Sequence, residues 1–271
     1  LLPGLPAATL ARMIREPFVP TQGIHNFRDY GGWSVSGGGH VRTGLLYRSG
    51  QHVGASDADL AAIAELDIRT VIDLRGTSER DRNPCRRIEG FDGEVIFYEG
   101  ETSSSPPHMD VDAETTTAQY AHQRMIAVYT RMPRNPAMID MFGRYFRALD
   151  EREGASLVHC FAGKDRTGVA AMMLLHALGA SEEDQLAEFL RTNAAPTLSV
   201  LREQSVPGIE QRLGRKLDEE AIRALLEVHE DYLATYREEV DRDHGSLDAY
   251  LEKVIGVDDA MRTRLHARLV A

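Results

Sequence analysis

Cysteine is nearly missing from this chain: there are two, Cys85 and Cys160, in 271 residues. Two thiols are too few for a disulfide framework or a thiolate-rich metal centre. A reducing compartment suits such a chain best. Long apolar runs are missing as well. The most apolar stretch, Val169 to Leu178, is about half the ~20 residues that a membrane-spanning helix needs, so no stable membrane insertion is expected. The opening Leu1-Leu2-Pro3-Gly4-Leu5-Pro6 shows no basic region followed by an apolar run, and no signal peptide is read in it. Positive charge is also short: 31 Lys and Arg against 42 Asp and Glu give a net charge of −11, which argues against nucleic acid as a partner. It does not exclude a small anionic substrate, because a phosphate site depends on local charge. No internal repeat or long low-complexity tract interrupts the chain.

Short apolar segments alternate with helical patterns instead. Gly31 to Gly39 reads as a hairpin and Leu45 to Arg48 as the strand after it. Ser56 is placed to cap a helix through Leu66, with Leu60, Ile63 and Leu66 at helical spacing. Thr70–Leu74 and Glu94–Tyr98 read as further strands. From Glu99 to Thr117 acidic residues surround Ser103-Ser104-Ser105-Pro106-Pro107, the texture of a mobile loop. Helices follow over Thr117–Thr130 and Met138–Leu149, separated by a break at Met132–Pro136. Ala155–His159 is a strand, Gly168–Leu178 a helix apolar nearly all round and hence buried, and the chain from Ser181 on is almost wholly helical. The expected architecture is α/β: a central, mostly parallel sheet flanked by helices, one domain over 1–271 whose helical C-terminal part, 181–271, packs on it.

The chemistry concentrates in His159-Cys160-Phe161-Ala162-Gly163-Lys164-Asp165-Arg166-Thr167-Gly168. A strand runs into this stretch and a helix out of it. The small residues between let the backbone N–H groups of Phe161, Ala162, Gly163 and Lys164 turn inward, and with the positive end of the next helix they form an anion cradle. The same field stabilises a thiolate at Cys160. Arg166, six residues on, has the planar fork that grips two phosphate oxygens, and Thr167 can donate to the sulfur as it leaves. Nucleophile, anion site and charge stabilisation thus share one loop. A buried structural cysteine beside an exposed arginine is the competing reading, and it leaves the glycines and the strand–loop–helix context unexplained.

This stretch resembles the signature of the protein tyrosine phosphatase superfamily, in its dual-specificity and lipid-phosphatase branch. Asn26-Phe27-Arg28-Asp29-Tyr30-Gly31-Gly32, Gly44-Leu45-Leu46-Tyr47-Arg48-Ser49-Gly50, and Asp73-Leu74-Arg75 with Glu79 are similar, in order, to the N-terminal motifs of bacterial tyrosine/lipid phosphatases of the mycobacterial type; His244-Gly245-Ser246-Leu247 and Tyr250-Leu251 are similar to their C-terminal end. The resemblance implies a cysteine-phosphatase fold, no metal and no cofactor, a phosphocysteine intermediate, phosphotyrosine proteins or phosphoinositides as substrates, a helical lid, and a cytoplasmic or exported bacterial enzyme.

The general acid stays open between Asp165 in the cradle and Glu99, Glu101, Asp110 or Asp112 on the acidic loop. Lys164 adds a second positive charge suited to a substrate with several phosphates. Arg28, Arg48 and Arg75 are expected to be scaffolding, with Asp29 and Asp73 as partners. His159 is expected to pack beneath the loop, and Cys85 to be an isolated thiol, with pairing to an oxidised Cys160 as its alternative. A rhodanese-like sulfur-transfer enzyme and a non-catalytic phosphate-binding module are the rival functions.

Overall fold

The computed structural model describes residues 17–102 and 117–271. Its five-stranded sheet has the order β1-β2-β5-β3-β4, with β1 at Arg28–Asp29, β2 at Leu46–Ser49, β3 at Ile68–Asp73, β4 at Glu94–Phe97 and β5 at Ala155–His159. Only β1 is antiparallel to its neighbour; β2, β5, β3 and β4 are parallel. Alternate residues of a strand face opposite sides, and the two sides are packed separately. Leu46, Ile72 and Val158 join the main core, which extends in sequence from Tyr30 to Val270. Tyr47, Val71 and Leu157 join a second core with Leu60 and Ile63.

Helix α1 (Asp57–Ala64) starts at Ser56, whose side chain accepts from the Asp59 amide while Asp59 reaches back to the Ser56 N–H, a reciprocal cap. Helix α2 (Thr77–Arg82) is hydrophilic and was not legible as a helix. Glu79 anchors it by accepting from the Gly76 N–H. Helices α3 (Ala118–Arg131) and α4 (Pro136–Glu151) flank a single 3-10 turn, Met132–Arg134, and Asn135 caps α4. The expected hairpin at Gly31–Gly39 forms without regular strands: the Ser34–His40 bridge is flanked by backbone bonds from the Val35 N–H to Gly39, the Val41 N–H to Trp33 and the Gly32 N–H to Val41.

Helix α5 (Asp165–Ala177) follows β5 and is buried from Arg166 to Leu175. Beyond it come α6 (Glu182–Leu190), α7 (Leu198–Leu213), α8 (Glu219–Leu226), α9 (Glu230–His244), α10 (Leu247–Tyr250) and α11 (Asp259–Leu269). Helices α7 and α8 build a third apolar cluster, from Leu201, Ile209 and Leu225 among others, against Phe161 and Ala162. The C-terminal helices therefore wall the cysteine loop directly. Among the described residues, no helix is long and apolar enough to cross a membrane.

Candidate active site

Three parallel strands end level with one another. His159 pairs with Ser49 of β2 and with Asp73 of β3, so the segments after Ser49, Asp73 and His159 converge at one edge of the sheet. The carboxyl ends of parallel strands are where such sheets bind ligands. The cysteine loop occupies the middle of that edge.

Its outward hydrogen bonds set its shape. The Phe161 carbonyl accepts from the Gln51 N–H at 2.9 Å. The Gly163 carbonyl accepts from Arg48 Nη2 at 2.7 Å and from Asn26 Nδ2 at 2.8 Å. In a trans peptide the N–H points opposite to the C=O, so the amides of Ala162 and Lys164 turn to the inner side. Gly163 has φ +66°, and a Cβ there would lie 2.3 Å from the Ser49 carbonyl carbon. Only glycine allows both that backbone conformation and that close approach.

Cys160 lies in the floor of a cleft of about 40 Å³, lined also by Phe161, Ala162, Lys164, Asp165 and Arg166, with Met125 and side chains of α7 and α8 as walls. Its residual exposure is 2%. Arg166 is held by Glu79, Nη1 donating to Oε2 at 2.6 Å and Nη2 to Oε1 at 2.9 Å; Nη1 also donates to the Leu74 carbonyl and to Thr102 Oγ1. A guanidinium has five N–H groups, so Nε and one Nη2 hydrogen remain outside these bonds. Burial works to lower the pKa of Arg166, but Glu79 outweighs it and holds the guanidinium well above its ordinary value. Glu79, singled out in the sequence only as a motif residue with no role assigned, is the residue that orients Arg166. Thr167 Oγ1 is buried and makes no hydrogen bond among the described residues, the Cys160 sulfur included.

Of the acid candidates, Asp165 lines the cleft. Its Oδ1 accepts from Tyr129 Oη at 2.8 Å and lies 3.8 Å from Lys164 Nζ. Burial, then the neighbouring Asp165, push the Tyr129 phenol well above its ordinary range, which fixes it as a donor. Glu101 is spent elsewhere: its carboxylate accepts from the Ser78 amide and hydroxyl at 2.9 Å each. Glu99 is exposed and does not line the cleft. Asp110 and Asp112 lie outside the described residues. Lys164 is among the lining residues, but its ammonium donates to the carbonyls of Leu225 at 2.6 Å and Glu227 at 3.2 Å. That anchors the loop to the end of α8.

Beneath the loop, Arg28 and Arg48 share one buried carboxylate, Glu188 of α6, at 2.8 and 2.6 Å. The shared partner is thus Glu188, while Asp29 caps a turn by accepting from the amides of Gly31 and Gly44. Asp73 does pair with Arg75, Nη2 donating to Oδ2 at 2.7 Å. Burial would raise the Asp73 carboxyl, but His159 and Arg75 outweigh it and hold it at about 2. Burial holds His159 at about 4, so at neutral pH it is an uncharged ring, stacked on His52. Cys85 lies with Asp73 and His159, their ligand atoms all within 4.8 Å of one another. Its thiol is pushed up by burial, which makes it a poor nucleophile.

The tyrosine phosphatase family profile matches residues 19–271. A protein of Cupriavidus necator named as a candidate tyrosine-protein phosphatase is 31% identical over 261 residues, covering 96% of this chain and 91% of its own. The triple specificity protein phosphatase PtpB of Mycobacterium tuberculosis is 27% identical over 277 residues, covering 92% of this chain and 97% of its own.

Proposed function

The chain belongs to the tyrosine phosphatase family, and from that premise we propose that it hydrolyses phosphomonoesters through a phosphocysteine at Cys160. The observation that carries this reading is the placement of Cys160, Asp165 and Arg166 around one small cleft, with the fork of Arg166 fixed by Glu79.

In the first step the Cys160 thiolate forms an S–P bond as the P–O bond to the leaving group breaks. The free edge of Arg166 and the inward amides of the loop hold the phosphoryl oxygens, where negative charge gathers. Asp165 gives its proton to the leaving oxygen. The bond from Tyr129 fixes one carboxyl oxygen and leaves Oδ2 for that proton. In the second step water attacks phosphorus, its proton passes to Asp165, and the P–S bond breaks to return the thiolate. The buried hydroxyl of Thr167, without a partner among the described residues, is the donor that turns to the sulfur as it leaves.

The substrates we infer are phosphotyrosine proteins and phosphoinositides. The apolar walls supplied by Met125, Leu201, Ile209 and Leu226 suit a flat ring carrying the phosphate. A multiply phosphorylated inositol would recruit the ammonium of Lys164 only by drawing it from the α8 carbonyls. Family membership favours hydrolysis over a sulfur-transfer enzyme or a binding module.

Acid quenching during turnover of a phosphotyrosine peptide tests the intermediate. Phosphate should be recovered covalently on the peptide that contains Cys160. An adduct on His159, or none under conditions of rapid turnover, refutes the covalent route.

A further inference from the structure

Away from the reacting atoms, three side chains converge where α3 meets the start of α9. Asp231 Oδ2 lies 3.4 Å from His122 Nε2 and 3.3 Å from His229 Nδ1, and the three ligand atoms are all within 4.8 Å of one another. We propose that His122, His229 and Asp231 form a zinc site that fastens the α8–α9 turn to α3, a site separate from the phosphatase chemistry.

The hydrogen bonds around the cluster decide which ring nitrogens carry protons. Tyr232 Oη donates to the Ala224 carbonyl at 3.3 Å, so it is an acceptor toward His122 Nδ1, also at 3.3 Å. That places the proton of a neutral His122 on Nδ1 and leaves a lone pair on Nε2, facing Asp231. His229 Nδ1 caps α9 by accepting from the Asp231 N–H at 3.4 Å; its one lone pair is engaged in that long bond, which an ion at Nδ1 would replace. The His122 Nε2 lone pair and the Asp231 carboxylate thus face each other at 3.4 Å with no proton between them, a repulsive arrangement that a cation relieves. A tetrahedral zinc with bonds of about 2.0–2.1 Å has ligand-to-ligand edges of about 3.3–3.4 Å. The two edges that meet at Asp231 Oδ2 match that length. The bond between His122 Nδ1 and Tyr232 is the kind of outer contact that orients a zinc-bound imidazole. Two imidazoles and a carboxylate leave a fourth position for water, and the side chains of His229 and Asp231 are half exposed, so an ion has a path in.

Occupancy would have a structural effect near the cleft. His122, Met125 and Tyr129 lie on one face of α3 at helical spacing; Met125 lines the cleft and Tyr129 holds Asp165. Tyr232 stacks on Tyr129 at 5.4 Å. The turn that begins at Glu227 gives Lys164 one of its two carbonyl partners. Zinc at this corner therefore ties together the two elements that hold Lys164 and Asp165.

The test uses the full chain, free of affinity tags and carrying Cys85→Ser and Cys160→Ser, so that neither thiol can bind the ion. Zn2+ titration should show one site that raises the melting temperature by a few degrees. Co2+ should give the visible absorption of a tetrahedral ion. His229→Ala and His122→Ala should each weaken Zn2+ at least about tenfold. His229 is more than half exposed, so its variant remains decisive if His122→Ala is unstable without metal. Absence of zinc binding below millimolar concentration overturns the proposal, as does equal binding by His229→Ala and its parent. In the first case, the cluster is a protonated histidine paired with Asp231.

Discussion

Asp165 is asked to carry a proton in both steps, and that demand can be separated from its neighbours. With Asp165→Asn the phosphorylation step loses its acid, so kcat on phosphotyrosine peptide should fall by about 10²–10⁴. Aryl phosphates whose phenols leave without protonation should be much less affected. An equal loss on both substrate types would make Asp165 a structural partner of Tyr129 only. At this scale the sequence was legible where function is local: the cysteine, the glycine and the arginine sit within seven consecutive residues and share one loop. Glu79 was legible as a motif residue but not as the partner of Arg166, which lies 87 residues further on. Nor was Tyr129 legible as the partner of Asp165, which its hydroxyl reaches across 36 residues. A hydrophilic Glu in a short polar helix gives no periodic signal, and a tyrosine on an amphipathic face reads as core. For Lys164 the loop position suggested a substrate contact, and the fold adds what the sequence could not show, the Leu225 and Glu227 carbonyls that accept from its ammonium.

Strands were the most readable elements, because β2, β3, β4 and β5 are short apolar runs bounded by turn residues. The two-residue β1 was not, since pairing with β2 rather than local pattern makes it a strand. Its side chain Arg28 enters an ion cluster that joins several elements: Arg28 from β1 and Arg48 from β2 converge on Glu188 from α6, and Arg48 also holds the Gly163 carbonyl. Burial and the nearby Arg48 lower Arg28 to about 9, against the pull of Glu188. Glu188→Ala would leave two buried guanidinium groups without a counter-charge, at a cost of about 3–5 kcal/mol. The expected result is a large drop in the urea midpoint with loss of activity. A midpoint within experimental error of wild type would mean that the cluster positions the loop without stabilising the fold.

The whole molecule should answer to acid through its buried histidines. Burial, the largest influence on each, holds His25 and His159 at about 4 and His52 well below its ordinary 6.5. In the unfolded chain all three would take up protons near 6.5, while in the folded protein His25 and His159 refuse them until about 4 and His52 until well below 6.5. The unfolded state therefore binds more protons as pH falls through that window, and stability drops with it. It is fully present above about 6.5, and each ring contributes a slope of up to about 1.4 kcal/mol per pH unit. Urea unfolding at pH 7.5, 6 and 5 should show a steadily falling midpoint; a constant midpoint would mean that the rings gain protons without unfolding. The general architecture, an α/β sheet with a helical C-terminal part, was readable from the order of apolar segments. The way α7 and α8 wall the cleft was not, because a helix's sequence fixes which face is apolar but not which surface that face covers.

Phosphate release from a phosphotyrosine peptide and a set of phosphoinositides, with EDTA present, by the wild type beside Cys160→Ser is the most direct measurement. The mechanism predicts turnover by the wild type that persists in EDTA, and a loss of at least about 10⁴-fold in Cys160→Ser. Comparable rates from the two proteins, or no release by either, would contradict a phosphocysteine enzyme.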